Sequence, residues 1–247
     1  MRNTHWLAVS ALLVVAVTAC AKDDATIRTT SLDDSTRSAS SEAAEGRGMA
    51  MIRFVNAADG RSVASLRVDD TVLFDRVSSS TVSPYREFNA TMARFDVRDV
   101  ALSDTTTIAS DDEMLQEGHR YSVVLMSENM SKRILRVLDD EVIPDSGMAR
   151  LRVIHAAPGG PMLDVRAANG TTELFTDLKF NEGANYVDVL PATVTLEVRA
   201  ANSAPVLVTV PSLPLARGTA TTVVLSGATQ LSWFTFVDTM MPATAIR

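Results

Sequence analysis

Apolar and polar residues alternate with a period of two through many short stretches of this chain, the pattern of strands with one wet face. Charged Arg150 and Arg152 interleave with Leu151 and Val153. Val194, Leu196 and Val198 point one way while Thr195, Glu197 and Arg199 point the other, and Val206, Val208 and Val210 keep the same spacing. Upstream, Ile52 and Phe54 flank Arg53, Leu66 and Val68 flank Arg67, and Tyr121 and Val123 flank Ser122. Turn formers stand between these runs: Asp59-Gly60, Asp69-Asp70 and Ser78-Ser79-Ser80 in the first half, Pro158-Gly159-Gly160-Pro161, Asn169-Gly170, Asn181-Glu182-Gly183 and Pro191-Ala192-Thr193 in the second. Asn169-Gly170 suits a type I′ hairpin, because both residues tolerate positive φ. No apolar stretch keeps a helical period. Strands this short, with turn signals every 8–12 residues or so, predict a sandwich or barrel.

The pattern is written twice. Residues 148–157 (Met-Ala-Arg-Leu-Arg-Val-Ile-His-Ala-Ala) answer residues 49–58 (Met-Ala-Met-Ile-Arg-Phe-Val-Asn-Ala-Ala) at an offset of 99. Phe74 answers Phe175, Tyr85 answers Tyr186, Phe95-Asp96-Val97-Arg98 answers Leu196-Glu197-Val198-Arg199, and Val123-Val124-Leu125 returns as Val223-Val224-Leu225. A period this long is a whole small domain, well above a solenoid unit. The predicted fold is therefore all-β: two tandem immunoglobulin-like or transthyretin-like antiparallel β-sandwich domains, residues 49–146 and 147–240, followed by a tail over 241–247. Each is large enough to bury a core without a metal or disulfide staple. Pro144-Asp145-Ser146-Gly147 connects them so briefly that a stiff tandem rod is expected.

Ahead of the repeats, residues 1–19 read as an export signal: Arg2 supplies the positive charge, and an apolar run from Trp6 to Val17 is too short to span a bilayer. The run ends in Val17-Thr18-Ala19-Cys20, which resembles the bacterial lipobox. That resemblance implies that Cys20, the sole cysteine, takes a diacylglycerol and becomes the new N-terminus. Two acyl chains suffice for stable attachment where one is marginal. The competing reading is ordinary signal cleavage that discards Cys20. Ala21 after the cysteine resembles lipoproteins passed to an outer membrane. Residues 20–48 carry only Ile27 and Leu32 as large aliphatics and read as a disordered tether with a reach of roughly 30 Å.

The strand Ala149-Arg150-Leu151-Arg152-Val153-Ile154-His155-Ala156-Ala157-Pro158, with Leu163-Asp164-Val165, Tyr186 and the stretch from Val189 to Thr193, resembles the bacterial extracellular family numbered 4397 among the domains of unknown function. Pro191-Ala192-Thr193 has Thr where that family usually has Gly, and Asn56 stands in the first copy where the family has His. The resemblance implies exported, often repeated β-sandwich modules, and it transfers no catalytic residue.

Composition narrows the chemistry. A hydrophobic fraction of 46% fits a globular chain, and the net charge of −7 is concentrated in the first copy, with 11 basic against 17 acidic residues over 49–147 and 7 against 7 over 148–247. Such a balance disfavours nucleic acid, whose binding needs clustered Lys and Arg. With no cysteine beyond Cys20, cysteine-based zinc sites are excluded. His5 leaves with the signal, which leaves His119 and His155, and His155 is expected to cap backbone groups at a sandwich rim. Asp111-Asp112-Glu113 and Asp139-Asp140-Glu141 lack the oxygen spacing and glycine of a calcium loop and read as solvated loop charge. There is no Gly-x-Ser-x-Gly elbow, and Asp164 and Asp188 cannot be paired from sequence.

Trp233-Phe234-Thr235-Phe236 is the densest aromatic run. It reads either as a strand buried against the core or the first module, or as an exposed interaction strip made by Trp233, Phe234 and Phe236. The expected function is a structural or protein-interaction role at the cell envelope, lipid-anchored, on the outer membrane or cell surface, with no enzymatic activity, cofactor or metal. The alternative is a module binding an envelope glycan or small solute, and a hydrolase ranks third.

Overall fold

The computed structural model describes residues 48–60, 62–100, 106–140, 147–168, 170, 173–183 and 185–239. The export signal, Cys20, the tether and the 241–247 tail lie outside these residues, as do Asn169 and Glu141.

Nine strands precede residue 140: β1 (Met49–Asn56), β2 (Val63–Val68), β3 (Thr71–Ser78), β4 (Thr81–Val82), β5 (Arg86–Asn89), β6 (Met92–Asp99), β7 (Thr107–Met114), β8 (Arg120–Ser127) and β9 (Arg133–Asp139). Eight follow: β10 (Ala149–His155), β11 (Leu163–Ala167), β12 (Glu173–Leu178), β13 (Val187–Val189), β14 (Ala192–Ala200), β15 (Val206–Leu215), β16 (Thr219–Ser226) and β17 (Ser232–Thr239). The first set builds one sandwich from sheets β3-β2-β6-β7 and β4/β5-β1-β8-β9, and the second builds another from β12-β11-β14-β15 and β13-β10-β16-β17. The fold is thus a repeated β-sandwich. One feature departs from a wholly antiparallel plan: β1 runs parallel to β8, and β10 parallel to β16.

Turn chemistry explains several boundaries. Asp69 and Asp70 have φ of 46° and 63°, the two positive values a type I′ turn requires between β2 and β3. Positive φ recurs at matching places in the repeat, Arg76 with Asp177 and Ser80 with Asn181. Between β4 and β5 the chain passes through Ser83-Pro84-Tyr85, where Pro84 has no N–H to give. Both short strands pair with β1, and the Ser83 side chain accepts the Phe54 N–H at 2.8 Å.

Three apolar clusters hold the assembly. Ile52, Phe54, Leu66, Phe95, Val123 and Leu125 centre the first sandwich; Leu151, Val153, Leu163, Leu196, Val223 and Leu225 centre the second. The third lies between the sandwiches and joins Val55, Val124 and Met126 to Ile154, Val224 and Phe236. The inner strands β1, β8, β10 and β16 are therefore buried on both faces, and the two modules meet face to face through the sheets that carry them. A four-layer stack replaces the expected rod. The reason is residue pattern: one row of β8 (Val123, Leu125) fills its own core, while the alternate row (Val124, Met126) fills the third cluster.

Candidate site at the module interface

Arg53 and Arg152 were expected on wet faces, and Asp140 in a solvated acidic loop. All three are buried, at 2%, 2% and 1% exposure. The correction has a physical cause. The faces that alternation marks as polar are covered by the other module, so the charges on them must be paired.

The pairing follows the repeat. Arg53 Nη1 and Nη2 donate to the two oxygens of Asp238 at 2.7 and 2.9 Å, its Nη2 also reaches Asp140 at 3.2 Å, and its Nε donates to Ser122 at 2.7 Å. Arg152 Nη2 donates to the other Asp140 oxygen at 2.6 Å and its Nε to Thr222 at 3.3 Å. Asp140 further accepts from the Tyr85 hydroxyl at 2.8 Å and Ser122 at 2.6 Å. Each arginine stacks on the tyrosine of its own copy, Arg53 4.6 Å above Tyr85 and Arg152 4.5 Å above Tyr186. Phe236 covers Arg53 from the second module at 4.2 Å. Two cations and two anions thus cross-link the modules with nearly two-fold reciprocity, as at an isologous interface.

Electrostatics follow from this packing. Burial pulls the Arg53 guanidinium down, but Asp140, Tyr85 and Asp238 more than offset it and leave it above its ordinary value. Burial first, and Asp140 second, push the Tyr85 hydroxyl far up against the opposing pull of Arg53. Burial likewise raises Tyr186, opposed by Arg152. Both phenols stay protonated, and the Tyr85 hydroxyl serves as a donor to Asp140.

Beside the network a cleft of about 520 Å³ opens between the modules, lined by Arg136, Asp139, Arg150, Arg152, Asn185 and Tyr186 among others. Arg150 pairs with Asp188 at 2.8 Å, and Asp139 with His119 at 2.8 Å. A second cleft of about 340 Å³ lies at one rim, lined by Asp59, Ser79, Ser80, Ser226 and Gln230 among others. Burial raises the Asp59 carboxyl, opposed by the Gly227 N–H and Arg133.

The other sequence candidates have structural surroundings. His155 is fully buried; the Ala157 N–H donates to its Nδ1 at 3.3 Å, and its Nε2 sits 3.1 Å from the Pro161 carbonyl, which fits a neutral ring protonated at Nε2. Asn56 takes the same place in the first copy: its Oδ1 accepts the Ala58 N–H at 3.2 Å and its Nδ2 donates to Val77 at 2.9 Å. Asp164 accepts the N–H groups of Asp177 and Asn202 on one sheet, while Asp188 belongs to another, so the two carboxylates serve separate ends. Asp111, Asp112 and Glu113 lie within β7, and no cluster able to hold a metal ion occurs among the described residues.

The aromatic run divides. Phe234 and Phe236 face the first module, while Trp233, Thr235 and Val237 pair across from Leu225, Val223 and Thr221 on the opposite face. That face should be core, yet Trp233 is 36% and Val237 49% exposed. In the first module β7 packs against β9 and Leu135 is only 8% exposed; β15 stays largely clear of β17.

Burial lowers the His155 pKa, with the hydrogen bond to Pro161 opposing. The unfolded chain takes up this proton near 6.5, before the folded protein does, so the native state is favoured fully above that value and loses ground as pH falls below it. His155→Asn, copying the first module, should cost about 1–2 kcal/mol at pH 7 through lost ring packing. It should also flatten the decline in urea midpoint between pH 7 and 5. An unchanged slope would remove His155 as its source.

These features define a class: paired β-sandwich modules fused through their inner sheets, with the chemistry-bearing side chains committed to holding them together. The chain belongs to the family described as Domain of unknown function (DUF4397), which it matches over residues 50–166 and again over 155–246. No curated protein matches it. Among solved structures it is similar to CBMbc, a family CBM26 protein from Eubacterium rectale Amy13K solved in complex with maltoheptaose, at 10% identity over 79% of this chain and 98% of that one, with a TM-score of 0.24. It is also similar to a candidate cell adhesion protein from Parabacteroides distasonis, at 9% identity over 77% and 98%, again with a TM-score of 0.24. At such scores neither likeness bears on what this chain binds. No helix among the described residues is long and apolar enough to cross a membrane.

Proposed function

We propose that this protein is an envelope-tethered interaction module, held by lipid at Cys20 and presenting a rigid double sandwich to a protein or polysaccharide partner outside the cytoplasm. The observation that carries the interaction role is the open flank of β17. Its core-facing row of Trp233, Thr235 and Val237 lacks the cover that β7 gives β9, and its one charged residue, Asp238, is buried in the interface. An edge strand with exposed apolar residues and no exposed charge or proline is a surface ready for strand addition or aromatic stacking. The lipobox-like end at Cys20 and the short apolar run before it support the anchor.

One experiment tests both halves. The full-length protein is expressed in its own envelope, cross-linked, and recovered from membrane and soluble fractions. Trp233→Ser with Val237→Ser should remove the cross-linked partner while leaving the protein membrane-bound and folded. Cys20→Ser should move it to the soluble fraction. Partner capture undiminished by the β17 pair would refute the interaction surface, and membrane retention of Cys20→Ser would refute the lipid anchor.

A further inference from the structure

The reciprocity between the modules breaks at one place. Strand registers match Arg136 in β9 to Phe234 in β17, and Leu138 to Phe236, because Val124 pairs with Arg136 as Val224 pairs with Phe234. On one side of the interface Phe236 lies over Arg53, and that guanidinium is enclosed between two rings. On the other side the equivalent residues are Leu138 and Arg136, and the 520 Å³ cleft opens there.

The hydrogen bonding is unequal in the same sense. All three nitrogens of Arg53 are engaged, with Asp238 bidentate and Asp140 added. Asp238 gives both oxygens to Arg53, so Arg152 keeps one carboxylate oxygen, from Asp140 through Nη2, and Thr222 through Nε. Its Nη1 has no partner among the described residues, although the Arg152 side chain is only 3% exposed and lines the cleft. Arg136 projects into the same space, solvent-exposed and unpaired among the described residues, and Arg150 and Asn185 stand on the wall.

We propose that this cleft is a binding site for a small oxyanion-bearing ligand, whose carboxylate or phosphate group takes the second-acceptor place at Arg152 and is clamped by Arg136. A guanidinium aligned with a planar oxyanion forms charge-assisted bonds stronger than neutral ones, and a guanidinium nitrogen that faces the cleft with no protein acceptor favours such a group over a neutral sugar. Arg150 is already committed in part to Asp188, so it adds field more than contact. Asn185 offers a donor and an acceptor to hydroxyls or amides on the remainder of the ligand, and the volume falls within the roughly 300–1,000 Å³ of small-molecule sites. The site stands apart from β17 and is independent of the interaction role proposed above.

The test is isothermal titration of the purified full-length protein at constant ionic strength with three probes: sodium glucuronate, inorganic phosphate and neutral glucose. The expected result is saturable one-to-one binding of glucuronate, of phosphate or of both, none of glucose, and at least tenfold weaker binding by Arg136→Gln. Glucuronate alone would assign a carboxylate ligand and phosphate alone a phosphoryl one. Arg136 is exposed and unpaired, so Arg136→Gln should keep the wild-type thermal unfolding temperature, and that measurement separates lost binding from lost folding. Failure of both anions to saturate, equal binding of glucose, or wild-type affinity in folded Arg136→Gln would overturn the proposal. None of these outcomes touches partner capture at β17.

Discussion

Replacing Asp140 by alanine should lower the unfolding free energy by about 3–5 kcal/mol, the cost of leaving buried charge unpaired. Asp140 accepts from Arg53, Arg152, Tyr85 and Ser122 at once, and Arg53, Arg152 and Ser122 are buried too deeply to recover their bonds from water. The effect should appear in urea unfolding as a lower midpoint at nearly constant slope. The adjacent Asp139 is a matched control, because it is partly exposed and, among the described residues, its ion pair is with the partly exposed His119. Asp139→Ala should cost no more than about 1 kcal/mol. Equal losses for the two variants would show that the network does not hold the modules together.

Phe236→Ala should cost about 3–4 kcal/mol, as large aromatic truncations in cores do. The ring is 9% exposed, sits in the cluster shared by both modules, and covers Arg53. Part of the loss should be coupled to the cation. In a double-mutant cycle with Arg53→Met, the two losses should fall short of additivity by about 0.5–2 kcal/mol. Phe234 is less buried and is merely packed against the cluster, so Phe234→Ala should cost clearly less. Comparable losses at both positions would argue that the strand is held by β16 pairing alone.

Much of the fold was legible along the chain and much of the site was not. Period-two alternation and the 99-residue offset led directly to repeated sandwiches, and Asp69-Asp70 forms the turn expected of it. Alternation also misled. It marked Arg53 and Arg152 as solvent-facing, because charge beside an apolar row ordinarily means water, and nothing local reveals that another module lies over that row. A signal was present in Val123-Val124-Leu125-Met126 and Val153-Ile154, where apolar residues run consecutively as in strands buried on both faces. Asp140 was unreadable for a different reason. Its partners lie 87, 55, 18 and 12 residues away, and only the packing of four sheets brings them to one carboxylate. The Trp233–Phe236 run was ambiguous between two faces, and the pairing of β16 with β17 separates its residues: the phenylalanines turn to the first module, and Trp233 to the open flank.

His155 and Asn56 carry a related lesson. The family pattern makes the histidine conspicuous, and Asn56 stands in its place in the first copy. Both side chains accept the N–H two residues on and reach a backbone carbonyl further along the chain, so an amide and an imidazole fill one structural office.

The reciprocal arginine–aspartate pairing has a consequence for concentration. A module whose inner sheet must be covered by another would ordinarily need to meet a second molecule, and dilution would strip it bare. Here the second cover is carried on the same polypeptide, a few residues away, so the encounter is unimolecular. At any dilution the protein keeps its buried charges neutralised, however few copies surround it.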